Sequence, residues 1–312
     1  MRKAFAIDID GVILRGSKII RGAKESIQKL ENNQVPYIFI TNGGGTLEKD
    51  KAADLSVKLG IPIREDQILL AHTPYRALIN TFKDDKVLIL GKKTCLSVAK
   101  EYGFKNIIDA NSIYLADPRV LPNRYNDKKD HTFGDIHKDV KAVMIFHDPV
   151  DWTLELQVLC DILAPIQSED GRHNQPIPFY SCNADIVYTA EHPRPRFTQG
   201  AFVSALKHLY KVVYDQELTV NSFGKPFKLQ YQYAERMLLQ QSDRLGLPSP
   251  SVYYGIGDNP VSDIKGANEA GPSWKSVLVR TGIFSTVDEN DKINSADHVF
   301  DNLEQSINFI LE

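Results

Sequence analysis

Lys3-Ala4-Phe5-Ala6-Ile7-Asp8-Ile9-Asp10-Gly11 is a short apolar run that ends in two carboxylates and a glycine. A run that is continuously apolar suits a strand buried on both faces of a parallel sheet. Such a strand delivers Asp8 and Asp10 at its C-terminal end, the edge at which open α/β sheets bind ligands. Two positions apart, the carboxylates share one face of an ideal strand and repel each other, so this strand tip calls for a cation.

Outward from that strand, residues 12–20 read as a hairpin turning at Arg15-Gly16-Ser17-Lys18, and 23–32 as a helix with Ile27 and Leu30 on its apolar stripe. A second strand over 35–41 runs into Thr41-Asn42-Gly43-Gly44-Gly45, followed by helical spacing over 48–59 and a stop at Gly60. Thr73-Pro74 opens a further helix, threonine as N-cap and proline at the first helical position. Strands at 86–90 and 140–146 then alternate with helices near 94–102 and 153–163, which is enough for an inserted α/β domain. The polar, glycine- and proline-rich stretches 117–138 and 168–178 read as loops. Past the insert, a strand at 179–181, helices at 200–210 and 227–245, and strands at 252–257, 276–280 and 298–300 resume the first architecture. The expected fold is a doubly wound, Rossmann-like parallel sheet from residues 1–73 and 181–312, with residues 74–180 as an inserted α/β cap that closes over the site.

The 312 residues carry 37 basic and 40 acidic side chains, a formal net charge of -3, so the chain has no general pull toward nucleic acid or an anionic membrane. No apolar run approaches the roughly 20 residues that span a bilayer. Cys95, Cys160 and Cys182 are odd in number and widely spaced, which encodes neither a disulfide framework nor a CxxC metal site. They read as buried small hydrophobes in a reducing compartment.

Four pieces sit at strand ends or on the loops after them: Asp8-Ile9-Asp10-Gly11, Thr41-Asn42, Gly224-Lys225-Pro226, and Gly257-Asp258-Asn259-Pro260-Val261-Ser262-Asp263. Magnesium takes hard oxygen ligands and commonly only one or two protein carboxylates, which Asp8 and Asp258 supply. Phosphoryl transfer needs positioning and charge neutralisation above all. Lys225 and the metal supply the cations, and the Thr41 hydroxyl with the Asn42 and Gly43 N–H groups supplies fixed donors. A carboxylate can attack, and a second acid can protonate the leaving alkoxide. Arg194 and Arg196, in His192-Pro193-Arg194-Pro195-Arg196, either present guanidiniums to an anionic substrate or form a stiff solvated loop. His147-Asp148 and Trp152, at a strand end in the insert, read as packing and helix-capping residues, with substrate contact as the alternative.

In this order the four pieces resemble the haloacid dehalogenase superfamily, whose DxD, Ser/Thr, Lys and GDxxxxD motifs are all present. The insert resembles the C2-type cap of its class IIA branch. Phe146-His147-Asp148-Pro149-Val150-Asp151-Trp152, Arg196-Phe197-Thr198-Gln199-Gly200-Ala201-Phe202 and Gly257–Ile264 are similar to the cat-eye-syndrome critical region group and its fungal mitochondrial relatives. The resemblance implies an aspartyl-phosphate on Asp8, with Asp10 as general acid/base that also binds Mg2+ through its backbone carbonyl. It implies Asp258 as the remaining protein ligand, Asp263 and Asn259 standing behind the ligands, and Thr41 and Lys225 holding phosphate. The family's substrate-specificity loop would fall at 185–196. A phosphatase of small phosphorylated metabolites follows, with a phosphotransferase or mutase, or a catalytically weak scaffold, as the alternatives. A dehalogenase is disfavoured, because halide displacement has no use for Asp10. The resemblance further implies a mitochondrial location, although no presequence is visible and the cytoplasm is the other reading. Self-association through the cap completes the expectations.

Overall fold

The computed structural model describes residues 2–124, 138–167, 173–285 and 289–312, and these divide into two compact units. The first comprises Met1–Pro74, Ala184–Phe197 and Phe223–Glu312, and the second Tyr75–Asn183 and Thr198–Ser222.

The first unit is built on a six-stranded sheet in the order His298–Phe300, Trp274–Val279, Val252–Gly257, Lys3–Ile7, Tyr37–Ile40, Ile68–Leu69, every neighbouring pair parallel. Successive side chains of a strand point to opposite faces, and Lys3–Ile7 shows the consequence. Phe5 and Ile7 pack under the helices Ala23–Asn32, Glu48–Leu59 and Leu303–Leu311, with Ile27, Leu55 and Ile307 in the same cluster. Ala4 and Ala6 face the other way, into a cluster with Tyr231, Ala234 and Leu238 of the helix Lys228–Arg244. Their small size leaves room for Tyr231 and Trp274, whose rings meet edge to face. Burial on both faces explains why the strand reads as apolar throughout.

The expected helix 48–59 ends at Gly60, which adopts the left-handed conformation that closes a helix without a Cβ penalty. The hairpin forms as Leu14–Arg15 against Lys18–Ile19. At Thr73 the expectation fails in detail, since Thr73–Leu78 is a 3-10 helix followed by the short α-helix Ile79–Phe82. The Thr73 hydroxyl donates to Glu48 and accepts from the Leu70 N–H instead of capping.

The second unit has its own five-stranded sheet, Asn221–Ser222, Phe179–Ser181, Val140–Ile145, Lys86–Leu90, Asn106–Ile108, again parallel throughout. Here the expected boundary at residues 180 and 181 is corrected. Phe179–Ser181 pairs with Val143–Ile145 and so belongs to this sheet. The helix Gln199–Tyr214 belongs here too, because Phe202, Val203, Leu206 and Tyr210 pack with Val143, Phe179, Leu154 and Leu159. At about 1.5–3 kcal/mol for each fully buried large apolar side chain, that stripe decides the helix's place. Asp148 accepts from the Gln199 N–H at 2.8 Å and Trp152 stacks edge-on against Phe202, the capping and packing roles expected of that segment.

Of the expected loops, residues 125–137 and 168–172 lie outside the described residues. The described remainder contains 3-10 turns at Pro118–Val120 and Pro122–Arg124, and His173–Asn174 pairs antiparallel with Ile166–Gln167. The three cysteines are free thiols, Cys95 and Cys182 buried and Cys160 partly so. Among the described residues no helix is long and apolar enough to cross a membrane.

Candidate active site

In the first unit the strand order reverses between Lys3–Ile7 and Val252–Gly257: the chain lays down two strands on one side, then returns to build outward on the other. Ligands of open α/β sheets bind outside the carboxyl ends at such a switch point. Asp8 directly follows one of these strands, Asp258 the other, and Thr41 the neighbouring Tyr37–Ile40.

Lys225 is the hinge of the charge arrangement. Its side chain is 2% exposed, and its ammonium lies 2.8 Å from Asp8 Oδ1 and 2.6 Å from Asp263 Oδ1. Burial works to lower the lysine pKa, but Asp263 and Asp8 outweigh it and hold the ammonium well above its ordinary value. One ammonium cannot balance three buried carboxylates. Burial, with the charges of Asp263, Asp258 and Asp10 against the pull of Lys225, raises Asp8 well above the usual carboxylate range. Burial and Asp263 push Asp258 up to about 7.

That surplus of negative charge is the test of whether a divalent cation fits. Asp8, Asp258 and Asp263 each offer an oxygen within 4.8 Å of the others. Asp263 has both oxygens engaged, Oδ1 by Lys225 and Oδ2 by the Asn259 N–H at 3.0 Å. Asp8 turns Oδ1 to Lys225 and to the Ile9 N–H, and Asp258 turns Oδ2 to the Ile283 N–H at 2.6 Å. Among the described residues, other residues therefore bond each of these two carboxylates through one oxygen only. An all-oxygen donor set with uncompensated charge suits a hard divalent cation, which Asp8 and Asp258 could hold.

Asp10 is less buried, and its Oδ2 lies 3.4 Å from the Thr41 hydroxyl. The turn beyond it needs glycine: Gly11 has φ +88°, and a Cβ there would lie 2.3 Å from Asp258 Oδ2. The Gly43 N–H, expected to donate to phosphate, donates to Thr41 Oγ1 at 2.8 Å, and the Gly45 N–H to His72 at 3.1 Å. This loop is pinned to its surroundings.

Asn42 acts through its side chain more than its backbone. Its Oδ1 accepts from the Lys225 N–H at 2.8 Å, and its Nδ2 donates to the Lys225 carbonyl at 3.0 Å and to Asp185 Oδ2 at 2.9 Å. Asn259 donates to Asp185 Oδ1 at 3.1 Å. Asp10, Thr41, Asn42, Lys225, Asp258, Asn259 and Asp263 are thus brought together around Asp8. Arg194 and Arg196 are not. Both are exposed on the hairpin Val187–Tyr188/Arg196–Phe197, where Arg196 Nε donates to the Pro195 carbonyl and the Arg194 N–H to His192.

Sequence reasoning missed three contributors. Asp185, where the resemblance puts the start of the substrate-specificity loop, sits against Asn42 and Asn259. The Thr281 hydroxyl donates to the Gly11 carbonyl at 2.5 Å. Gly282 allows the Ile283 N–H to reach Asp258, since a Cβ on it would lie 1.8 Å from Asp258 Oδ2. The available signal was Thr281-Gly282 directly after a core strand, at the ligand-binding edge.

A family model described as haloacid dehalogenase-like hydrolase matches residues 5–105, and a second, HAD-hydrolase-like, matches residues 222–306. The chain is 33% identical to the mitochondrial hydrolase YKR070W of Saccharomyces cerevisiae, over 92% of this chain and 89% of that protein. It is 36% identical to a cardiolipin synthase (CMP-forming)/mitochondrial hydrolase fusion protein of Schizosaccharomyces pombe, over 98% of this chain but only 53% of the fusion. Among solved structures, a p-nitrophenyl phosphatase from Archaeoglobus fulgidus has the same fold at 20% identity, with a TM-score of 0.66 and 99% of each chain covered.

Proposed function

The chain belongs to the haloacid dehalogenase-like hydrolases, and on that premise we propose that it is a magnesium-dependent phosphatase of small phosphorylated metabolites working through Asp8. The observation that carries the reading is the buried Lys225 ammonium held 2.8 Å from Asp8 and 2.6 Å from Asp263, with Asp258 left uncompensated beside them. This is a site with negative charge to spare, suited to a cation and a phosphoryl group together.

In the proposed reaction Asp8 attacks phosphorus in line with the ester oxygen, forming an aspartyl-phosphate. Asp10 protonates the leaving alkoxide, so that the alcohol departs neutral. Asp10, now a carboxylate, takes a proton from a water that attacks the same phosphorus, releasing inorganic phosphate and restoring Asp8. Lys225 holds Asp8 in its attacking orientation and, with Thr41, neutralises phosphoryl oxygens as their charge spreads. Magnesium held by Asp8 and Asp258 would supply further charge neutralisation for the transferred group. The likeness to two yeast proteins named mitochondrial hydrolases supports a mitochondrial setting.

A broad panel of phosphorylated metabolites, assayed for phosphate release with and without magnesium, tests the reading. Wild type should release phosphate from at least one compound only with the metal, and Asp8→Asn should release none above background. Silence across the panel, or equal turnover by Asp8→Asn, would overturn it.

A further inference from the structure

We propose that Asp185 is a positioning residue of this site, a carboxylate that locks three of the four motifs into one arrangement by fixing the side-chain amides of Asn42 and Asn259. The proposal rests on the hydrolase reading above and adds a residue to it.

Asp185 Oδ2 accepts from Asn42 and Oδ1 from Asn259, at 2.9 and 3.1 Å, and the Ser262 hydroxyl bonds the same carboxylate. A carboxylate can only accept, so it dictates which end of each amide faces it. For Asn42 this leaves Oδ1 to receive the Lys225 N–H and the second Nδ2 hydrogen to meet the Lys225 carbonyl. The backbone of Lys225 is thereby gripped from both sides, while its ammonium reaches Asp8 and Asp263. For Asn259 it leaves Oδ1 to accept from the Val261 N–H at 3.1 Å, shaping the turn between Asp258 and Asp263. A turned amide at either position would set donor against donor. Asp185 thus acts on Lys225, Asp258 and Asp263 through their neighbours, and no contact of its own with Asp8 is needed. Burial raises the Asp185 carboxyl above the usual carboxylate range, while the hydrogen bonds from Asn42 and Ser262 and the charge of Lys225 pull the other way.

Asp185→Asn keeps the shape and removes the accept-only character, and Asp185→Ala removes both. With p-nitrophenyl phosphate and magnesium, each should lower kcat by about tenfold to a hundredfold, the worth of a charge-assisted hydrogen bond. KM should stay within about threefold and the melting temperature should show the protein folded. Unchanged kcat, or a loss confined to KM, overturns the proposal. Should Asp185→Ala fail to fold, the isosteric Asp185→Asn decides. If wild type does not turn over this probe, the metabolite panel decides the hydrolase reading and a crystal structure of Asp185→Asn decides the positioning role. A turned Asn42 amide with Lys225 displaced from Asp8 supports it, and an unaltered Asn42–Lys225–Asp8 arrangement overturns it.

Discussion

Lys225 shows what a single residue does when burial removes the option of solvation. A lysine this deep would ordinarily lose its proton, yet two carboxylates keep it charged, and only the removal of both would leave it an unpaired buried ion. Glu155, in the second unit, is the contrary case, a buried acid with no ion pair among the described residues. Burial pushes it up to about 7, although the Asp151 N–H, at 2.7 Å from Oε2, pulls the other way. A folded pKa above the unfolded value means that the stabilising contribution is complete below about 4.5 and is lost as pH rises through about 7. Glu155→Gln, which keeps an acceptor for Asp151, should therefore gain on wild type between about pH 5 and pH 8, by at most about 3 kcal/mol. Urea midpoints of both proteins at the two pH values measure the difference. A constant difference would show that Glu155 is not titrating as its surroundings dictate.

At the scale of elements, the local code was readable wherever it was local. The apolar run of Lys3–Ile7, the helix stop at Gly60 and the hairpin near Gly16 each carry their signal within a few residues. Phe179–Ser181 and Gln199–Tyr214 were recognisable as strand and helix, but their unit was not. A strand's sheet is chosen by register with a partner, here Val143–Ile145, and local periodicity does not record that. The same limit hid Asp185, a lone acid in a loop, and Gly282, whose importance lies in its approach to an aspartate 24 positions earlier, as their sequence numbers show. Gly282 gives the element-scale prediction. Gly282→Ala must displace Asp258 or lose the Ile283 bond, so one of the two carboxylates assigned to the metal moves. Magnesium should then raise the melting temperature of wild type by roughly 5 °C at saturating excess, and that of the variant by little. Paired thermal melts with and without magnesium read this, and an equal shift in both would separate Asp258 from metal binding.

For the whole molecule, the chain places Asp8 near its start and Asp258 far toward its end, and one sheet brings them to adjacent strand tips. The first unit is assembled from three separate stretches of chain, so its site exists only once distant segments have paired. The motifs were legible because chemistry restricts residue type at strand ends. The supporting residues were not, because many types could have done their work. In the proposed reaction phosphorus transfers to the carboxylate of Asp8. Acid quenching during turnover of an accepted phosphomonoester, borohydride reduction and peptide mass analysis test it most directly. Asp8 should be recovered as homoserine, the product of reducing an aspartyl-phosphate, only when substrate and magnesium are both present. Steady phosphate release with Asp8 recovered unmodified throughout would contradict the account.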